Sequence, residues 1–195
     1  MTPLGERGRG SHWAMTVAWY VAGSVAGGAG LGYALGTVGS FVQGRLGLSA
    51  RTAVGVLALV VALGVVLDLG AFGARLPTVR RQVNEEWLHR YRGWVYGLGF
   101  GVQLGVGFST VVAISAVYGA FAAAFLSGSA RAGLLIGMAF GLARAGTILS
   151  VATVRRAHEL VSVDARLRRW DGVASGLAIA LEAILLAAAV VAVVA

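Results

Sequence analysis

Residues 13–42 read WAMTVAWYVAGSVAGGAGLGYALGTVGSFV, a run from Trp13 to Val42 without one charged side chain. Residues 93–126 form a second such run. A bilayer core about 30 Å thick is crossed by about 20 consecutive apolar residues in a helix. Both runs exceed that length, and no soluble domain of ordinary composition carries them. The whole chain agrees: 58% of its 195 residues are hydrophobic and 12% are charged, with a mean hydropathy of +0.82. Soluble domains are charged at about one residue in four.

All 16 basic residues are arginine, and 12 of them fall in three clusters between the apolar runs. The clusters are Arg7 and Arg9, then Arg75 to Arg92, then Arg155 to Arg169. Five crossings separate the clusters, at about 14–42, 51–73, 94–126, 131–154 and 172–194. One set of loops then holds the 12 clustered arginines, and the other holds Arg45, Arg51 and Arg131. Arginine-rich loops stay cytoplasmic, so the N-terminus is expected inside the plasma membrane of a bacterium and the C-terminus outside. The first run is longer than a signal-peptide core and is read as an uncleaved anchor. The net charge of +8 resides in these loops, which points to anionic lipid rather than nucleic acid. The expected architecture is an all-α membrane protein, one integral domain over 1–195, with five transmembrane helices, or six if a long span breaks. Spans one and three, at 29 and 33 residues by these bounds, must tilt, protrude or break.

Small residues recur every fourth position: Ser24, Gly28, Gly32, Gly36, Ser40 and Gly44 in span one; Gly97, Gly101, Gly105, Ser109 and Ala113 in span three; Gly133, Gly137, Gly141 and Ala145 in span four. That spacing puts them on one helix face and lets backbones approach closely, a glycine-zippered bundle. An internal duplication is also legible. Thr78–Arg81 recurs as Thr153–Arg156, Ser49-Ala50-Arg51 as Ser129-Ala130-Arg131, and Arg92-Gly93-Trp94 is echoed by Arg169-Trp170. Repeat A covers about 13–92, repeat B about 93–170, and the final span 172–194 opens a third, incomplete unit. With two spans per unit the copies point the same way.

Two basic amphipathic segments follow spans two and four. Val79, Val83, Trp87 and Tyr91 share one face of the first; Leu160, Val163, Leu167 and Trp170 share one face of the second. They are expected to lie as interfacial helices, with Arg80, Arg81, Trp87, Arg90, Arg92, Arg155, Arg156, Arg168, Arg169 and Trp170 at the lipid headgroups. Docking of a cytoplasmic partner is the alternative use of such surfaces, and a membrane-protein partner or a homo-oligomer is a further expectation for the chain.

Polar groups at membrane depth are the candidate site. Asp68, Arg144 and Glu182 fall at similar depth in spans two, four and five, so an ion cluster with Arg144 neutralising the acids is expected. Gln103, Ser109 and Thr110 of span three add uncharged hydrogen-bonding groups. Such intramembrane residues are costly unless paired or hydrated, and they mark ion or substrate paths. There is no cysteine, which excludes thiol redox chemistry and thiolate metal sites within this sequence. His12, His89 and His158 lie outside the spans without ligand-like spacing, so no metal and no cofactor are expected. No hydrolase triad, phosphate loop or deaminase motif occurs, and the GxG patterns follow no strand; a non-enzymatic role is expected.

Residues 96–110, YGLGFGVQLGVGFST, followed by a hairpin and 133–142, GLLIGMAFGL, resemble one half of a CcdA/DsbD-type transmembrane domain. Residues 82–106 also resemble small membrane proteins of actinobacteria grouped with that family. The resemblance implies a glycine-rich broken helix joined by a short hairpin to the next span. It also implies, for the family, electron transfer by thiol–disulfide exchange through Pro-Cys pairs. Here Phe108-Ser109-Thr110 stands in one such place, and Ala26–Gly30 in the other. Three functions therefore stay open. The leading one is a transporter-like protein moving a small solute, ion or proton past Asp68, Arg144 and Glu182. The second is an accessory subunit of a membrane complex. The third is a redox-assembly protein whose electron carrier lies on a partner.

Overall fold

The computed structural model describes residues 1–69, 91–107 and 115–152 as continuous segments, with single positions between Val154 and Ala187. The described residues are helical, without a strand. In chain order the helices are α1 (Pro3–Gly8), α2 (Trp13–Leu46), α3 (Ala50–Asp68), α4 (Gly93–Val106), α5 (Ala116–Leu126) and α6 (Ala130–Gly146), the last continued by a 3-10 turn over Thr147–Val151. Three helical stretches are long and apolar enough to cross a membrane: α2, α3 and Ala130–Leu149. In the span expected at 172–194 the described positions, among them Gly172, Gly176 and Glu182, are helical. The expected interfacial helices lie largely outside the described residues; of the first, Tyr91 and Arg92 are non-helical and lead into α4.

The helix ends obey local chemistry. Ser49 caps α3 by accepting from the Thr52 N–H, and Ser129 caps α6 by accepting from the Ala132 N–H. The Ser-Ala-Arg tripeptide that occurs twice in the sequence thus does the same work twice, satisfying a first-turn donor that has no intrahelical partner. Gly47, with φ 62°, ends α2 in the left-handed conformation, where a side chain would be strained.

The two long apolar runs behave differently. α2 is unbroken over 34 residues, about 50 Å at 1.5 Å per residue. The run 94–126 is not one helix. α4 stops at Val106, Gly107 adopts φ 81°, and α5 starts at Ala116. A Cβ on Gly107 would meet the rings of Phe121 and Phe140, which stack edge-to-face at 5.5 Å. The fourth span also departs from one straight helix at Gly146, where the α-helix tightens into the 3-10 turn.

α2 is the central helix, in contact with α4, α5 and α6. Against α4 it runs parallel: positions built out from Gly97, Gly101 and Gly105 collide with the backbone at Thr16, Tyr20 and Ser24. Against α6 it runs antiparallel, with Gly28 facing Gly137 and Gly32 facing Gly133, each glycine's missing Cβ falling on the other's carbonyl. Ser24 stands where the three helices meet, and its hydroxyl donates to the Gly141 carbonyl at 2.8 Å. Farther along, Gln43 donates to the Leu126 carbonyl at 3.0 Å, tying the α5–α6 hairpin to the end of α2. The contact face does not continue through Gly44, beside which a Cβ would meet nothing. α3 stands outside this group and packs on α5.

Opposite effects are expected from alanine at neighbouring glycines of α2. Gly30 has open space beside it, whereas Gly32 has the Gly133 carbonyl. Gly30→Ala should raise stability by about 0.5–1 kcal/mol through helix propensity. Gly32→Ala should lower it by about 1–3 kcal/mol through overpacking. Thermal unfolding of the detergent-solubilised protein, followed by circular dichroism, reads both signs.

Candidate functional site

Two groups of buried polar side chains organise the described residues. The first forms where the run 94–126 breaks. α5 begins with backbone N–H groups that have no intrahelical acceptor. Asp68, at the last turn of α3, fills the gap: the Ser115 N–H donates to both carboxylate oxygens, at 3.1 and 3.0 Å. The Ser115 hydroxyl lies 3.0 Å from Asp68 Oδ2 and 2.9 Å from Glu182 Oε1. Ser115 and Glu182 are almost fully buried, at 4% and 6% exposure. Gly64, one turn before Asp68, makes room for the serine, since a Cβ there would sit 2.6 Å from its hydroxyl. A carboxylate at a helix N-terminus also meets the positive end of the helix dipole.

One hydroxyl hydrogen serves two acidic oxygens here. A serine hydroxyl donates to one acceptor at a time, and both Asp68 oxygens already accept from the Ser115 N–H. Glu182 Oε2 is buried and has no hydrogen-bond partner among the described residues.

Asp68 and Glu182 are thus brought together, as expected from their depth, but through a serine. The Arg144 guanidinium lies 5.5 Å from the centre of the Phe140 ring. Depth counted along a helix leaves open which way a side chain projects. Gln103 belongs elsewhere too, lining a cavity of about 290 Å³ with Tyr20, Phe100, Leu104, Thr147 and Ile148. Thr147 gives its proton to the Arg144 carbonyl at 2.7 Å. Ser109 and Thr110 lie outside the described residues, as do Arg80, Arg81, Trp87, Arg90, Arg155, Arg168, Arg169 and Trp170. Arg92 and Arg156 are described and exposed.

The second group was not anticipated from sequence. Glu6, on the short helix α1, is completely buried. It accepts from Arg9, from the Tyr96 hydroxyl and from Thr16 Oγ1, the last at 3.0 Å. Tyr96 opens α4 and Thr16 opens α2, so one carboxylate fastens α1 across the starts of two parallel helices. A Cβ on Gly93 would sit 2.7 Å from Thr16 Oγ1, so glycine lets α4 close on this point. The only available sequence sign was a Thr2-Pro3 helix start with Glu6 in its first turn, which ordinarily marks a solvated cap.

Burial by itself would raise the Glu6 carboxyl, but the hydrogen bonds from Tyr96, Arg9 and Thr16 outweigh it and hold the group below the usual carboxylate range. A carboxyl with a lowered folded-state value stabilises the fold above its unfolded value, and this is lost as pH falls through the folded one. Glu6→Gln should therefore cost about 1–3 kcal/mol at neutral pH and flatten the decline in melting temperature below the carboxylate range. Asp68→Ala should cost a similar amount, since it orphans the Ser115 N–H. Melting temperatures across a pH series test both.

Known proteins supply a frame for these sites. Residues 1–184 match the family model described as the cytochrome C biogenesis protein transmembrane region. The methylamine utilization protein MauF of Methylophilus methylotrophus is 29% identical over 173 residues, covering 88% of this chain. The chain spans 59% of the length of that relative. No solved structure matches the chain. With the match running through nearly every residue that builds both polar groups, the chain is a membrane protein that belongs to the cytochrome c biogenesis transmembrane family, the CcdA/DsbD type.

Proposed function

We propose that this chain is a non-catalytic membrane component in the maturation of a redox protein, acting with a partner that carries the electron-transferring thiols. The observation that carries the reading is a family match over residues 1–184 in a sequence with no cysteine. The family's scaffold is kept, and the residues that would exchange disulfides are absent from this sequence. What is left for the scaffold is to hold a partner, or that partner's substrate, at the membrane. In this reading the chain sits in the plasma membrane with its arginine-rich N-terminus cytoplasmic and its C-terminus outside. It crosses five times, with the third crossing discontinuous, as a glycine-zippered bundle built from two parallel copies of one unit. Anionic lipids and a membrane-protein partner surround it.

Deleting the gene in its host and staining membranes for covalently attached haem tests this directly. Mature c-type cytochrome, or the activity of another periplasmic redox enzyme, should fall at least about tenfold and return with the wild-type gene. Unchanged maturation of both would overturn the reading.

A second reading has its own observation: the Ser115 hydroxyl touches both the half-buried Asp68 and the buried Glu182. Such an arrangement suits a proton-linked path through Asp68, Ser115 and Glu182, in which Glu182 exchanges a proton with its surroundings. Proteoliposomes holding a proton-sensitive dye should then show flux under an imposed pH gradient that Glu182→Gln abolishes. Equal leak from wild type, variant and empty vesicles would remove this reading and leave the first.

A further inference from the structure

The end of the molecule where α2 and α4 start side by side holds a cavity of about 560 Å³, within the size range of small-ligand sites. Neither acid group fills it. Its polar lining includes Arg9, Ser11, His12, Tyr91 and Arg92, with Trp94 at the apolar edge. The charge of Arg9 is balanced by Glu6, while Arg92 is exposed and is in no ion pair among the described residues. The described lining is therefore net positive. Neither adjoining helix start has a side-chain cap, which adds free backbone donors to the same space.

The apolar edge indicates what kind of anion fits. Met15, Trp19 and Trp94 are exposed at 57%, 39% and 42%, and the two indoles lie 5.8 Å apart, tilted by 50°. The lining thus passes from arginine and hydroxyl groups to a bare apolar strip within the first two turns of α2. A soluble anion uses only the first part. An amphiphile uses both. Tryptophan and tyrosine favour the headgroup level of a bilayer, and the arginine fork matches phosphate oxygens.

We propose that this cavity binds the phosphate headgroup of an anionic phospholipid, with the acyl chains running along Met15, Trp19 and Trp94. Arg92 supplies the main charge, and Ser11, His12 and Tyr91 supply hydrogen bonds to the ester oxygens. The site is independent of the maturation role proposed above.

The test uses the full chain in nanodiscs of phosphatidylcholine doped with phosphatidylglycerol, and native mass spectrometry to count the lipid retained on release. Wild type should keep phosphatidylglycerol in preference to phosphatidylcholine. Arg92→Gln should reduce that retention roughly fivefold, the effect of one arginine near an anionic surface. Arg131→Gln, which removes an exposed arginine at the opposite end of the bundle, should not. Equal loss in both variants, or no preference in wild type, overturns the proposal. Displacement of phosphatidylglycerol by millimolar inorganic phosphate would do the same, assigning the cavity to a soluble anion. In the wild-type protein, phosphatidylglycerol with brominated acyl chains should quench tryptophan fluorescence more than brominated phosphatidylcholine does. Equal quenching by the two also overturns the proposal, without relying on any variant.

Discussion

The contact on which the other described helices depend is backbone against backbone along α2. Positions that a Cβ would occupy on Gly23, Gly27, Gly28, Gly32, Gly36 and Gly39 are already filled by carbonyls of α4, α5, α6 and the Ser129 loop. In lipid there is no hydrophobic gain from pressing two apolar helices together, because the acyl chains are as apolar as leucine. Helices stay together through close dispersion contact and weak Cα–H···O attraction, and both need the backbones near one another. The glycines of α2 supply that proximity on two faces at once.

Two consequences follow from seating α4 and α6 on the same helix. α4 shares the direction of α2 and uses its first half, Thr16 to Gly28, whereas α6 runs against it and uses the stretch from Ser24 to Gly36. Beyond Gly28, α6 holds the facing surface, and α4 ends at Val106. The chain re-forms a helix at α5, which returns to α2 only near Gly39. The interruption leaves the first N–H groups of α5 without intrahelical acceptors, and buried ones would be costly unpaired. Asp68 meets that demand from the neighbouring α3. The broken span and the acid site are thus one structural event.

Much of this was legible in sequence, and the failures have physical reasons. Four-residue glycine spacing marked the contact faces because it follows from helix geometry alone. Which long run breaks was not legible, since 13–42 and 93–126 are comparably rich in glycine. The difference is tertiary: α2 is held on several sides, while Gly107 sits against Phe121 and Phe140. Asp68 and Glu182 stood out because acids are rare in apolar runs. Ser115 did not, because serine is unremarkable there, although it is the group that joins them. Glu6 was invisible for the opposite reason, being an acid in a short polar segment where acids are expected.

The two acid groups invite comparison because similar side chains are satisfied so differently. Glu6 has three donors, one of them an arginine, so its charge is balanced and its oxygens are engaged. A carboxylate so matched is a fastening, and it holds α1 across two helix starts. Among the described residues Asp68 and Glu182 meet at one serine, and Glu182 Oε2 has no partner. Buried polar atoms without partners are rare in folded proteins, and a low-dielectric setting raises their cost. Packing alone does not require Glu182: a leucine there would bury comparable volume without desolvating a carboxyl group. Among the described residues the break between α4 and α5 is thus the place where two acids share one serine.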